Sequence, residues 1–282
     1  MTGEAVAAAV AVAREFGMSC TDPVVLHDGS NVLVRLRPAP VVARVASLTA
    51  EVRPGVEAWL ARDIAVASHL AARGVPAVPP CADPPAGPHH RDGRVVAFFS
   101  YVPHDPDLVP EPGEVARLLA ALHSALADFT GDLPVAGPVD DLRVCFDLLD
   151  REGILPASVV SRLRADLEGL ALELRRFPVR PLHGDAHPGN LLWTRSGLLW
   201  NDFEDAWLGP LGWDLACLAN TGYLDGHAAL AAYPSLPPDS ELETCIRLRT
   251  LFGVAWRYYL DDRIPGQAPD KREHLETWLS SG

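Results

Sequence analysis

The sequence predicts an α+β protein of two lobes, in which a small N-terminal lobe built on an antiparallel sheet precedes a larger, mainly helical C-terminal lobe. Several short β-branched runs, separated by turn signals, lie in the first hundred residues and indicate antiparallel strands. Beyond residue 112 the apolar residues recur at helical spacing over long segments. The Pro/Asp-rich segment 103–112 separates the two patterns. It predicts a boundary between an N-terminal lobe of residues 1–102 and a C-terminal lobe of residues 103–282.

In the N-terminal lobe, an amphipathic helix is expected around residues 5–13, followed by a sheet. Short β-branched runs predict strands at 24–27, 31–36, 41–45 and 94–102. Between the last two strands, apolar residues at helical spacing predict a helix over 56–73. The Pro-rich segment 78–88 that follows this helix is predicted to be a loop.

The C-terminal lobe is predicted to be helical except for one polar region. Apolar residues at helical spacing predict helices over 114–129, 141–151, 158–177, 213–219, 241–259 and 272–279. The region between the third and fourth of these helices is rich in Gly and Pro and cannot be regular helix. We therefore expect the chemistry of the protein to lie there.

That region places two carboxylates and a carboxamide at informative spacings. Asp185 and Asn190 lie five positions apart in the stretch L-H-G-D-A-H-P-G-N-L-L (182–192). The apolar residues on either side of the turn T-R-S-G predict a β-hairpin over 191–200. This hairpin brings Asp202 back beside Asn190. One carboxylate is then free to orient a hydroxyl, while Asn190 and Asp202 offer oxygens to a hard cation such as Mg²⁺.

The same region resembles the catalytic loop and metal-binding motif of the aminoglycoside phosphotransferase family, relatives of choline kinases and, more distantly, of protein kinases. The shared pattern is H-G-D-x-H-x-x-N, then D-F-E, then a helix start D-L-A, found here at 183–190, 202–204 and 214–216. The resemblance implies a bilobal protein-kinase-like fold. It also implies transfer of the γ-phosphoryl group of ATP, with GTP as the alternative donor, to a hydroxyl of a small molecule, with Mg²⁺ as cofactor.

The resemblance assigns roles at the catalytic loop. Asp185 is the expected catalytic base, and Asn190 and Asp202 are the expected magnesium ligands. Only eleven residues separate Asp202 from Asp214, fewer than the activation segment with which a protein kinase docks a peptide. A small-molecule acceptor is therefore favoured.

Arg44 stands where the family usually has the lysine that grips the α- and β-phosphates. Arginine is longer and planar, so the exchange is not neutral. Asp63 is the expected partner of Arg44 in an ion pair, with Glu57 as the alternative.

Four further residues are expected to contact the nucleotide. Ser30 and Asn31 lie in the turn between the first two strands and are placed to cap the nucleotide from above. Phe99 and Tyr101 occupy the position of the kinase hinge, where backbone groups read the adenine edge.

The acceptor site is less well defined by sequence. Glu204 and Asp205 either support the catalytic site or face the acceptor. Solvated surface charge is the default interpretation of five acidic residues, with contact to an amine-bearing acceptor as the alternative: Asp225, Glu241, Glu243, Asp261 and Asp262. Aromatic residues that line the pocket or belong to the core are Trp207, Tyr223, Trp256 and Tyr258.

Composition and two rival functions complete the expectations. The 282-residue chain has 48% hydrophobic residues and no apolar run of membrane-spanning length, so we expect no contact with a membrane. A net charge of −13 argues against nucleic acid and is compatible with a cationic acceptor, whereas five scattered cysteines indicate a reducing cytoplasm. The oligomeric state is left open.

The alternative functions are a nucleotide-binding pseudokinase, suggested by Arg44, and a metal-dependent hydrolase using His183, Asp185 and His187.

Overall fold

The computed structural model describes residues 2–261, 263 and 271–280. The first part of the chain forms five strands: β1 (Cys20–Asp28), β2 (Asn31–Pro38), β3 (Val41–Ala46), β4 (His89–Arg91) and β5 (Arg94–Ser100). They pair in the order β1-β2-β3-β5-β4, and every pairing is antiparallel. The predicted strand over 94–102 therefore ends two residues early.

The alternation of side chains gives this sheet two different faces. Helix α1 (Thr2–Glu15) covers one face with small apolar residues that pack on alternate strand positions, among them Ala43 and Val45. Arg44 lies between these two residues and pairs in register with Ala97 of β5. Its side chain therefore points away from α1, toward the other face.

That other face carries the helices that reach the candidate site. Helix α2 (Leu48–Val52) follows β3, and helix α3 (Val56–Ala72) packs through Leu60 and Leu70 against the sheet. Asp63 lies on the same side of α3 as these two leucines and is fully buried. A buried carboxylate requires a partner, and Arg44 supplies one.

Helices make up most of the C-terminal part. Seven α-helices are described there: α4 (Pro112–Leu126), α5 (Gly137–Arg151), α6 (Ala157–Leu174), α7 (Gly212–Ala219), α8 (Gly226–Ala231), α9 (Asp239–Asp261) and α10 (Lys271–Ser280). Leucine-rich faces of α5, α6 and α9 form one core with Trp213 of α7. None of the helices in the described ranges is long and apolar enough to cross a membrane.

Two small antiparallel ladders hold the loops of the candidate site. Strand β6 (Arg180–Leu182) pairs with β9 (Trp207–Gly209), and β7 (Leu191–Thr194) pairs with β8 (Gly197–Trp200). A single 3₁₀ turn, Pro188–Asn190, leads into β7. The predicted hairpin is therefore present, with Leu191 opposite Trp200.

The predicted fold class is confirmed: an N-terminal antiparallel sheet is followed by a mainly helical part. The sequence interpretation missed α2, α8, β4, β6 and β9, which span three to six residues each. Segments this short contain too few residues to show a period of 2.0 or 3.6. The lobe boundary after residue 102 remains a prediction.

Candidate active site

The catalytic loop begins at His183, and the carboxylate of Asp214 fixes it. Backbone N–H groups of His183 and Gly184 donate to Asp214 over 2.9 Å each, and His123 of α4 is hydrogen-bonded to the same carboxylate over 2.8 Å. Gly184 has φ +90°, and a Cβ there would lie 1.8 Å from the carbonyl oxygen of Asp205. Only glycine fits this position.

Asp185 projects from this loop into a cavity of about 860 Å³ between the sheet and the helices. Its carboxylate lies 3.2 Å from Nε2 of His187, 3.2 Å from Nδ2 of Asn190 and 2.8 Å from a terminal nitrogen of Arg249 in α9. Burial opposes the ionisation of Asp185. The charges of His187 and Arg249 outweigh that effect and hold the pKa of Asp185 well below its usual range. Asp185 is thus an ionised hydrogen-bond acceptor.

Asn190 and Asp202 meet at the base of the hairpin. The backbone N–H of Asn201 donates to the carbonyl of Asn190 over 3.0 Å, so Asp202 leaves the hairpin where Asn190 enters it. Both side chains line the cavity. Asn190 donates to the backbone carbonyl of Asp185 over 2.9 Å, while its own Oδ1 accepts no hydrogen bond from any described residue. An all-oxygen pair of this kind fits Mg²⁺ or Ca²⁺.

Arg44 is buried beneath this pair. It contacts the carboxylate of Asp202 and lies 3.3 Å from Asp63 and 3.4 Å from Glu204. Asp63 also accepts a hydrogen bond of 2.9 Å from the backbone N–H of Phe203, so α3 is tied to the chain segment after the hairpin. The partner of Arg44 is therefore Asp63 and not the exposed Glu57, which lies 3.1 Å from His90.

Arg53, which follows α2, lies at the centre of a second buried cluster. It pairs with Asp141 of α5 at 2.8 Å, with Glu204 at 3.1 Å and with Asp205. Five carboxylates thus surround two guanidinium groups in a buried region. Burial and the neighbouring carboxylates raise the pKa of Glu204 to about 8, and burial raises that of Asp205 to about 6, although Arg44 and Arg53 act in the opposite direction. The excess negative charge is of the kind that a divalent cation compensates.

The residues expected at the nucleotide divide into two groups. Ser30 and Asn31 line the cavity beside Arg44, and Nδ2 of Asn31 donates to Glu204 over 2.9 Å. Phe99 and Tyr101 are not among the cavity-lining residues. The side chain of Phe99 belongs to the core on the α3 side of the sheet. The backbone N–H of Tyr101 donates to the carbonyl of Pro40 over 2.8 Å, so it is already paired, and the adenine-reading role of this pair remains a prediction.

The acidic residues expected at the acceptor lie elsewhere. Asp225 caps α8, accepting from the backbone N–H of Ala228 over 3.0 Å. Glu241 is buried and accepts from the backbone N–H of Gly212 over 2.9 Å, and Glu243 is exposed outside the cavity. Asp262 and the side chain of Asp261 lie outside the described part of the chain.

Of the four aromatic candidates, only Trp256 lines the cavity. Trp207 and Tyr258 are buried in the C-terminal core. Tyr223 is exposed and stacks on His187, with 5.7 Å between ring centroids.

Three site residues escaped the sequence interpretation: Arg53, Asp141 and Arg249. Each sits in or beside a helix among other charged residues, and no motif distinguishes it from a solvated surface charge. The spacing of apolar residues in α9 gave one indication that Arg249 is a site residue. Arg249 falls on the apolar side of this helix, between Leu248 and Phe252.

The hydrolase interpretation fails on geometry. His183 is fully buried, with its ring 5.0 Å from Trp200 and 4.8 Å from Phe203 between centroids. Its Nδ1 accepts the backbone N–H of Asp185 over 3.3 Å. His183 therefore braces the loop, and within the described ranges no group of three or more His, Cys, Asp or Glu residues is arranged to hold a metal ion.

A comparison with family models matches residues 25–235 to the phosphotransferase enzyme family APH. The match begins within β1 and covers the rest of the sheet, the catalytic loop and the hairpin. This chain belongs to that family. The recognition made from the H-G-D-x-H-x-x-N and D-F-E motifs is therefore confirmed.

Solved structures that share the phosphotransferase fold include three with different small-molecule substrates. The GDP and kanamycin complex of APH(2")-IIia is 18% identical and covers 94% of this chain and 95% of its own, with a TM-score of 0.63. Choline kinase LicA from Streptococcus pneumoniae is 15% identical, with coverages of 97% and 99% and a TM-score of 0.67. Amicoumacin kinase hAmiN, solved with AMP-PNP, Ca²⁺ and Ami, is 12% identical, with coverages of 92% and 87% and a TM-score of 0.67. No curated protein sequence matches significantly.

Proposed function

We propose that this phosphotransferase moves the γ-phosphoryl group of ATP to a hydroxyl group of a small molecule. The observation that carries the proposal is the convergence of Asp185, Asn190 and Asp202 on one cavity, with Arg44 buried beneath them. These are the parts that phosphoryl transfer requires, since its loose transition state needs alignment and charge neutralisation more than covalent chemistry.

Asp185 is the residue of the chain that acts on the acceptor. Its ionised carboxylate accepts a hydrogen bond from the acceptor hydroxyl and aims the oxygen at the γ-phosphorus. The new bond joins that oxygen to phosphorus, the bond to the bridging oxygen of ADP breaks, and the hydroxyl proton passes through Asp185 to water. Because the pKa of Asp185 is depressed, the proton leaves late and orientation is the main contribution.

Asn190 and Asp202 are the residues that would hold Mg²⁺. The ion, when bound, neutralises charge that develops on the phosphate oxygens. Ser30 and Asn31 would cover the nucleotide from the sheet side, where they line the cavity. Arg44 would compensate the carboxylates of this region and approach the phosphates when Asp202 turns to the metal.

ATP is the proposed donor, and GTP is the alternative because one neighbouring structure carries GDP and another AMP-PNP. We further propose a reducing, cytoplasmic setting, because all five cysteines of the chain are free and four of them are buried. One candidate class of acceptor is an amine-bearing molecule, since kanamycin is bound in one neighbouring structure.

A direct test measures transfer of labelled phosphate from ATP or GTP to a pool of hydroxyl-bearing metabolites in the presence of Mg²⁺. Wild type should give labelled product, and Asp185→Asn should not, although it should bind nucleotide equally well.

A second candidate function, the nucleotide-binding pseudokinase, is favoured by the full engagement of Arg44 by carboxylates. Nucleotide binding by wild type without any labelled product or ADP release would support that candidate against the kinase.

A further inference from the structure

One face of helix α9 forms the wall of the cavity next to Asp185. The cavity-lining residues of this helix recur at helical spacing, namely Arg249, Thr250, Phe252, Gly253, Trp256, Arg257 and Leu260. Residues spaced by three and four positions share one side of a helix. Arg249 contacts Asp185, and Arg257 follows eight residues later, which is about 12 Å further along the axis.

Between the two arginines lies an aromatic surface. The rings of Phe252 and Trp256 are stacked, with 5.8 Å between centroids and 21° between planes. Both side chains are half-buried and line the cavity. A flat apolar group in the cavity would pack on them.

The described carboxylates of the cavity are all paired. Among the described residues five carboxylates line it, and each forms an ion pair with an arginine: Asp141 and Asp205 with Arg53, Glu204 with Arg53 and Arg44, Asp202 with Arg44, and Asp185 with Arg249. An amine-bearing acceptor would have to displace one of these arginines. The described part of the cavity thus offers no ready site for a cation other than the metal position.

Two arginines of the cavity have no carboxylate partner among the described side chains. Arg257 is half-buried and forms no ion pair with any described residue. Arg62 of α3 donates to the backbone carbonyl of Glu204 over 2.8 Å and lies over the ring of Trp59 at 4.7 Å, and it too has no carboxylate partner in the described ranges. A half-buried guanidinium group without a counter-ion favours an anionic ligand.

We propose that the acceptor is an elongated molecule that carries an anionic oxygen group, a carboxylate or a phosphate, in addition to its hydroxyl. Arg257 binds the anionic group, and Phe252 and Trp256 pack on the apolar body between it and the hydroxyl at Asp185. The rise of about 12 Å along α9 from Arg249, which contacts Asp185, to Arg257 calls for a body longer than that of a simple hydroxy acid. This inference rests on the proposed phosphotransferase function and names its substrate class.

The alternative role for Arg257, contact with the nucleotide phosphates, is disfavoured by its position. The residues expected at the phosphates, Ser30, Asn31 and Arg44, belong to the sheet side of the cavity. Arg257 lies on α9, eight residues after Arg249, which contacts Asp185. A ligand that touches both Asp185 and Arg257 occupies the acceptor side.

Four synthetic acceptors with one common skeleton test the proposal: hydroxymethyl-phenylpropanoate, its methyl ester, the matching amine and the matching phosphate monoester. Each is assayed at varied concentration with Mg²⁺ and ATP for transfer to its hydroxyl. The proposal expects kcat/KM for the acid or the phosphate to exceed that for the ester and the amine. The ratio between acid and phosphate distinguishes the two anionic groups.

Arg257→Gln is the test variant and Arg247→Gln the matched control. Arg247 lies on the same helix, is exposed outside the cavity and pairs with Glu173 at 3.5 Å. In Arg257→Gln the ratio of kcat/KM between acid and ester should fall by on the order of tenfold, the effect of losing one charge-assisted hydrogen bond. In Arg247→Gln the ratio should stay at the wild-type value.

Two results separate failure of the inference from failure of the function. If wild type phosphorylates the amine or the ester better than both anions, or if Arg257→Gln leaves the ratio unchanged, the anionic acceptor is wrong while the kinase activity stands. If no acceptor is phosphorylated, binding of the acid and the phosphate monoester is measured by thermal shift. Stabilisation that Arg257→Gln abolishes then supports the anion site, and no stabilisation overturns it.

Discussion

The two ends of the cavity differ in how their charges are balanced. At the sheet end, Arg44 and Arg53 are buried among five carboxylates, and acidic groups are in excess. At the α9 end, Arg249 is balanced by Asp185, and Arg257 has no partner among the described residues. The first end suits a cation, and the second suits an anion. One cavity can therefore keep a metal and an acceptor apart by charge alone.

Asp185 lies between the two ends, and its loss should have the largest effect. We expect Asp185→Asn to lower kcat by on the order of 10²–10⁴-fold, because the amide no longer accepts the acceptor proton. Single-turnover transfer with saturating ATP measures this. The melting temperature serves as the control, since an asparagine retains the contact with Asn190, and a variant with near-normal kcat would remove Asp185 from the mechanism.

The sheet end of the cavity is tested by a substitution of Asp202. Asp202→Asn removes the charge of a proposed Mg²⁺ ligand and should weaken the apparent affinity for Mg²⁺ in the transfer assay by roughly tenfold or more. A titration of activity with Mg²⁺ at fixed ATP gives the value. Glu152→Gln, an exchange of a residue that does not line the cavity, is a suitable control. An unchanged Mg²⁺ requirement in Asp202→Asn would contradict the metal site.

The arginine that connects the ends is tested by Arg249→Gln. Loss of this charge raises the pKa of Asp185 toward its usual range, so the acid limb of the kcat/KM profile should move to higher pH. The loosened carboxylate should also lower kcat by roughly tenfold. Arg249→Lys keeps the charge and should keep the limb near its wild-type position. A limb that stays in place in Arg249→Gln would show that the ion pair does not govern Asp185.

The smallest expected effect concerns how the buried carboxylate of Asp63, at the sheet end of the cavity, changes the stability of the protein with pH. Burial raises the pKa of Asp63 to about 6, even though Arg44 acts to lower it, so the folded protein holds this proton more tightly than the unfolded chain. Stability should therefore fall as the pH rises from about 4 to 6. In Asp63→Asn this part of the slope should vanish. Urea unfolding of both proteins without metal, at several pH values in that window, measures the difference, and identical slopes would refute the assignment.

The sequence predicted the residues at the sheet end of the cavity better than those at the α9 end. The hairpin over 191–200 could be foreseen because a four-residue turn signal lies between two apolar runs, and the hairpin alone determines that Asn190 and Asp202 meet. Arg44 and Asp63 could be paired from the family resemblance, and in the structure strand alternation and helix phase direct both to the same side.

The arrangement of residues at the α9 end of the cavity depends on long-range packing. Arg249 and Arg257 follow the catalytic loop by about sixty residues, and their position beside Asp185 depends on how α9 packs on α7. A single chain contains no local signal for that contact, and the acidic candidates Asp225, Glu241 and Glu243 do not line the cavity. Those carboxylates are a helix cap, a partner of a backbone N–H and a solvated charge.

Gly184 imposes a limit on any attempt to redesign this enzyme. Since even one methyl group at this residue would collide with the peptide carrying Asp205, the catalytic loop cannot be moved outward without carrying the hairpin exit along with it. Libraries aimed at new acceptors should leave that residue fixed and vary the cavity-lining face of α9 instead, at Phe252, Trp256 and Arg257. Substrate range can then change while the spacing of the reacting groups is preserved.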